Sequence, residues 1–97
     1  MDLDFGNNRL RRNYTSSRDA VRDWGEDVAR KYIQRIDQII AAPDLHALGK
    51  LPSVRLHPLR GERTGEYALD LVGRWRLIVT IENDAVLIRE VSNHYGD

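Results

Sequence analysis

The hydrophobic period changes once along this chain, near Lys50, and that change sets the broad architecture. Before it, apolar side chains recur in steps of three and four: Val21, Trp24, Val28, Tyr32, Ile36, Ile39 and Ile40. Such spacing marks one face of an amphipathic helix. Arg22, Asp23, Glu26, Asp27, Arg30, Lys31 and Arg35 lie between and read as a solvated face of mixed charge. After Lys50 the period is two. Val54 and Leu56 alternate with Arg55 and His57, and Tyr67, Leu69 and Leu71 share a side. Trp75, Leu77, Val79 and Ile81 then oppose Arg74, Arg76, Ile78, Thr80 and Glu82. A period of two belongs to strands. Helices first and strands afterwards predict an α+β fold, with N-terminal helices packed on one face of a twisted antiparallel β-sheet.

Local signals place the boundaries. "DLDF" at 2–5 reads as a short strand and "NNRLRRNY" as a short helix. Ser16 followed by Asp19 predicts the start of the long helix. Gly25 within it costs about 1 kcal/mol relative to alanine, and either permits close packing or bends the helix. Pro43 ends the run, and "PDLHALG" reads as one more turn closed by Gly49. Strands are expected at 53–58, 66–72, 74–82 and 85–91, with Asn83-Asp84 as a two-residue hairpin turn. Trp75 and Tyr67 are expected on the core side of the sheet.

A chain of 97 residues predicts one domain over 1–97. Its 41% apolar and 31% charged content is that of an ordinary soluble protein. There is no cysteine, which excludes disulfides and thiolate chemistry. No apolar run is long enough to span a bilayer, and "MDLDFGNN" lacks the apolar stretch of a signal peptide. A cytoplasmic location is the expectation. His46, His57 and His94 are scattered and none has zinc-site spacing, so neither metal nor cofactor is expected.

Net charge is zero, but the charges are not evenly spread. Residues 53–80 carry Arg55, Arg60, Arg63, Arg74 and Arg76 against Glu62, Glu66 and Asp70. Strand alternation places Arg55, His57, Arg74 and Arg76 on the face away from the helices, with His94 and Tyr95 arriving beside it after the last strand. Two readings fit: solvation and edge protection of an exposed sheet face, or an anion site. Arginine donates planar, bidentate hydrogen bonds to phosphate and keeps its charge. Histidine, with an ordinary pKa of about 6.5, moves protons. Cations plus a histidine, with no cluster of carboxylates or thiols, suit metal-free RNA cleavage, in which the 2′-OH attacks the adjacent phosphate.

The stretch "RLHPLRGERTGEYALDLVGRWRLIV" resembles the toxins of bacterial type II toxin–antitoxin modules, specifically the HigB branch of the RelE/ParE superfamily. The resemblance rests on His57-Pro58-Leu59-Arg60-Gly61, on Trp75-Arg76-Leu77, and on the opening "FGNNRLRRNY". It implies a RelE-like fold and a ribosome-dependent mRNA endonuclease that needs no metal. It also implies a cognate antitoxin, of the helix-turn-helix HigA-like kind, that holds the toxin inactive and carries any contact with operator DNA. His57 matches the family histidine at the scissile phosphate, Arg60 a basic position that is usually lysine, and Arg76 the arginine that contacts the phosphate. Arg55 and Arg74 extend the phosphate-binding set. The family usually ends in Asp-Tyr-His, whereas this chain has Asn93-His94-Tyr95, so either His94 or Tyr95 fills the acid–base position. The competing reading is a non-catalytic binding module on the same fold, such as a ParE-like gyrase-directed toxin.

Overall fold

A computed structural model describes residues 1–93. The chain starts with strand β1 (Asp2–Phe5) and continues through helices α1 (Asn8–Thr15), α2 (Ser17–Trp24), α3 (Glu26–Ala41) and α4 (Leu45–Gly49). Strands β2 (His57–Pro58), β3 (Glu66–Asp70), β4 (Arg76–Glu82) and β5 (Ala85–Ser92) follow, with a 3-10 turn at Gly61–Arg63 between β2 and β3. They form one five-stranded sheet in the order β1-β5-β4-β3-β2. This is the expected α+β arrangement of helices on a mostly antiparallel sheet.

The helix starts are capped as their sequences direct. Asn7 Oδ1 accepts from Leu10 N at 2.9 Å, Ser16 Oγ from Asp19 N at 3.3 Å, and Asp44 Oδ1 from Ala47 N at 2.8 Å. Each side-chain oxygen satisfies an amide that has no partner within its helix. The single long helix expected from Ser16 is in fact two. Gly25 stands at φ 86°, ψ 166°, donates to Val21 O at 2.8 Å to close α2, and opens α3. Its conformation is essentially restricted to glycine. The break rotates the earlier segment, so Val21, expected on the apolar face, is 40% exposed. Gly25→Ala is therefore expected to lose about 1–3 kcal/mol in urea unfolding, although alanine favours helices. Unchanged stability would show that α2 and α3 tolerate a continuous helix.

The core lies between α3 and one face of the sheet. Tyr32, Ile36 and Ile39 meet Leu69, Leu77, Val79 and Ile88, all essentially inaccessible. Burial pushes the Tyr32 hydroxyl pKa well up, and that hydroxyl donates to Leu10 O at 2.7 Å. Trp24 packs edge-on against Tyr32, with ring centroids 4.7 Å apart. Trp75 is not the central core residue its pattern predicts. It is only half-buried at the border of the core, because it lies in the turn that precedes β4.

The strands differ from their predicted forms in extent, 66–72 ending at Asp70 and 74–82 starting at Arg76, and in three further ways. First, β1 pairs parallel to β5 (Leu3↔Val86, Phe5↔Ile88), so the sheet is mixed. Gly6 allows this approach: it donates to Ile88 O at 2.8 Å, and a Cβ there would sit 2.8 Å from the same oxygen. Second, the 53–58 strand shrinks to His57–Pro58, since Arg55 adopts φ 49° and breaks the alternation. Third, Ala68 and Ile78 are fully buried although they face away from the helices. Arg63 explains part of that cover. It donates to Glu66 of β3 and, at 2.9 Å, to Glu90 of β5, so it passes over β4 between them. The β4–β5 hairpin does turn at Asn83-Asp84, with φ 53° and 61°, the left-handed pair such a turn demands.

Asp23 joins α2 to α1. Its carboxylate accepts from Asn13 Nδ2 and from Arg9 Nε, each at 2.9 Å. Those bonds, with nearby Arg22, hold its pKa down to about 2, below the ordinary 3.8. A carboxyl stabilised in its charged form lends stability that is complete above its unfolded pKa and disappears as pH falls through the folded one. The wild type should thus lose helical stability between about pH 4 and pH 2. In Asp23→Asn that acid dependence should flatten in circular-dichroism melts. An unaltered acid profile would remove Asp23 from the account.

Candidate functional site

Asp70, at the end of β3, organises the cationic end of the outer sheet face. The register sets Asp70 opposite Arg76, and cross-strand partners share a face. Arg76 Nε forms an ion pair with Asp70 Oδ1 at 2.9 Å, with both side chains 18% exposed. Arg55 Nε lies 3.4 Å from the other carboxylate oxygen, but its side chain is 75% exposed. Arg76 Nη1 also donates to Gly73 O at 2.8 Å and Trp75 O at 3.0 Å. These bonds fix the guanidinium plane along two edges. Nη2 is left without a partner among the described residues, available to an incoming anion.

The main chain of Asp70 is held as firmly as its side chain. Its amide donates to Val54 O at 2.8 Å, and its carbonyl accepts from Arg35 Nε at 2.7 Å. Arg35, expected on the solvated face of the helix, is 2% exposed. It also donates to Gln38 Oε1 at 3.0 Å and to Ser53 O at 2.9 Å. A guanidinium out of water needs acceptors, and here each of its three nitrogens has one. Desolvation lowers its pKa, and the charge of Asp70 opposes that shift.

His57 lies next along the same face. It pairs with Ala68, two residues from Asp70 on β3, which is a separation of about 7 Å along the strand. His57 Nδ1 is 2.8 Å from Arg55 O. A carbonyl only accepts, so the neutral ring carries its hydrogen on Nδ1 and leaves the Nε2 lone pair available. The left-handed backbone of Arg55 precedes that arrangement by two residues.

The expectation of a face lined by free cations is only partly met. Arg55, Arg63 and Arg76 are each paired with carboxylates. Arg60, before the 3-10 turn, and Arg74, in the turn before β4, are exposed and have no ion-pair partner among the described residues. Glu66, Asp70 and Glu90 all stand on this face, contrary to the expectation that no carboxylates cluster there. Their side was legible in strand alternation, but their pairing depends on register. Among the described residues no group of histidines and carboxylates has the makings of a metal site. No helix among them is long and apolar enough to cross a membrane. His94 and Tyr95 lie outside the described residues.

No protein-family model matches the chain, and no curated protein matches it in sequence. Solved structures do match in shape. The YoeB of a YoeB–YefM complex from Staphylococcus aureus superposes with a TM-score of 0.57 at 13% identity, covering 98% of each chain. A YoeB/ParE toxin from Agrobacterium tumefaciens gives 0.55 at 18% identity, covering 98% of this chain and 100% of its own. The fold is that of the YoeB-type toxins. A YoeB dimer from Staphylococcus aureus agrees, at 0.57 and 13% identity over 98% of both chains. At these identities the YoeB likeness fixes the fold end to end and leaves the chemistry to the residues themselves.

Proposed function

We propose that residues 1–97 form a single toxin domain of a type II toxin–antitoxin module, of the HigB-like kind, which cleaves mRNA on the ribosome without a metal. The observation that carries this reading is the Arg76 guanidinium, braced on two edges with Nη2 left over, on the same sheet face as a histidine whose Nε2 is available. The YoeB-type fold along the full chain supports it.

In the proposed reaction the 2′-oxygen bonds to phosphorus, the P–O5′ bond breaks, and a 2′,3′-cyclic phosphate and a 5′-hydroxyl result. Arg76 holds the non-bridging oxygens as negative charge builds on them. His57 Nε2 takes the 2′-OH proton or returns one to the leaving oxygen, and His94 or Tyr95 fills the complementary role. Arg55, Arg60 and Arg74 hold flanking phosphates. A cognate antitoxin, HigA-like with a helix-turn-helix, neutralises the toxin in the cell and is its route to operator DNA. The site of action is the cytoplasm, where ribosomes are.

Induced expression should arrest bacterial growth and generate new 5′ ends in mRNA by primer extension, and co-expressed antitoxin should relieve both. Growth arrest without new ends would favour the second reading, a ParE-like gyrase-directed binder. One observation favours that reading: Arg55, Arg63 and Arg76 are all engaged by carboxylates on the face where RNA would lie.

A further inference from the structure

We infer that Asp70 is the positioning residue of this site: anchored to α3 through buried Arg35, it orients the Arg76 guanidinium toward a phosphate. The inference rests on the proposed phosphoryl chemistry and adds a residue to it.

An arginine side chain has several rotatable bonds, and holding it in one geometry costs entropy. Here the cost is met before any ligand arrives. Asp70 Oδ1 takes the Nε edge, two turn carbonyls take Nη1, and Nη2 remains for a ligand oxygen. Asp70 itself has little freedom. Its amide bonds Val54 O, its carbonyl bonds Arg35, and its second oxygen faces Arg55. Arg35 is 2% exposed and also grips Ser53 O, so α3, the loop before β2 and the end of β3 meet at one guanidinium. The opposite possibility is that the carboxylate merely competes with phosphate for Arg76. Geometry favours positioning, because Asp70 occupies the Nε edge and leaves Nη2 open.

The two roles predict opposite kinetics. Asparagine at 70 keeps the size and one acceptor oxygen but removes the charge. Phosphate is then attracted no less strongly, so KM should stay within about twofold or fall. Loss of orientation appears in the chemical step instead, where a misplacement of about 1 Å costs on the order of 10²-fold. Asp70→Asn is expected to lower kcat for ribosome-bound mRNA by roughly 10–100-fold. In an Arg76→Lys background, which has already lost the oriented fork, Asp70→Asn should add less than about twofold, since residues acting through one another are not additive. Equal losses in both backgrounds, or a kcat that rises in Asp70→Asn, would overturn the inference.

A second measurement separates this inference from the proposed function. In wild-type protein the Arg76 Nε–Hε resonance should exchange slowly with solvent and shift when inorganic phosphate is added. In Asp70→Asn its exchange should quicken at least tenfold, with the rest of the spectrum retained. If the wild type never cuts RNA, the proposed function fails while this resonance still reports on positioning. Unchanged Arg76 exchange in Asp70→Asn sinks the positioning role whether or not RNA is cleaved.

Discussion

Arg35→Ala is expected to be the most destabilising substitution of a charged residue in α3, at a cost of about 3–5 kcal/mol. Removing this guanidinium, itself 2% exposed, leaves Asp70 O, Ser53 O and Gln38 Oε1 without their donors. Each buried acceptor left unpaired costs about 1–3 kcal/mol, and breaking a buried charged network costs about as much as the total expected here. Native domains hold only about 5–15 kcal/mol, so the variant should melt far below the wild type or fail to accumulate. Arg35→Lys should recover only part of the loss, because one ammonium cannot span three acceptors that a planar guanidinium reaches together. Arg30→Ala provides the contrast. Arg30 stands 66% exposed beside Asp27, and its loss should change stability by no more than about 0.5 kcal/mol. Urea unfolding of the three variants is the measurement. An Arg35→Ala protein within 1 kcal/mol of wild type would mean that water replaces the guanidinium freely.

Arg35 also shows where sequence reading stopped. The helical pattern was legible because apolar residues repeat every three or four positions. Arg35 falls on the same stripe, three residues after Tyr32 and four before Ile39, yet its charge makes it read as solvated. Only the acceptors brought by β3 and the 50–56 loop explain its burial, and those are long-range partners. Gly25 was ambiguous for a related reason: the apolar stripe runs on from Trp24 to Val28 while the backbone between them breaks. Composition and period likewise cannot encode the parallel pairing of β1 with β5. They give a strand its two faces but not its neighbour.

The site was legible to a similar depth. Alternation put Arg76 on the outer face correctly, and the hairpin at Asn83-Asp84 was readable from its residues. Alternation also put His57 on that face, where it pairs with Ala68, but it did not give the backbone of Arg55, which leaves the extended region. The pairing of Asp70 with Arg76 follows from the length of the turn between β3 and β4, which fixes register. That single pairing changes the electrostatics of the site. A cation that the sequence leaves free becomes an ion pair with one directed donor.

That donor makes Arg76→Ala the sharpest functional test. One directed donor lost from a developing oxyanion costs about 2.7–4 kcal/mol, or 10²–10³ in rate. Growth arrest and mRNA cleavage should fall by that factor, while antitoxin binding is retained. The effect on folding should be much smaller. Asp70 keeps Arg55, Arg35 and Val54 as partners when Arg76 is lost. Arg60→Ala separates binding from chemistry. Arg60 is exposed and unpaired among the described residues, so its loss should weaken RNA association and reduce the salt dependence of binding by about one phosphate contact. Its kcat on saturating ribosomes should hardly move. His57→Ala should resemble Arg76→Ala in rate and Arg60→Ala in stability, since among the described residues its ring bonds only a neighbouring carbonyl. The pattern to look for is a loss of kcat at 76 and 57 and of affinity at 60, with all three melting near the wild type. If Arg76→Ala cuts mRNA at the wild-type rate, the outer sheet face is not where the reaction occurs, however well its donors are arranged.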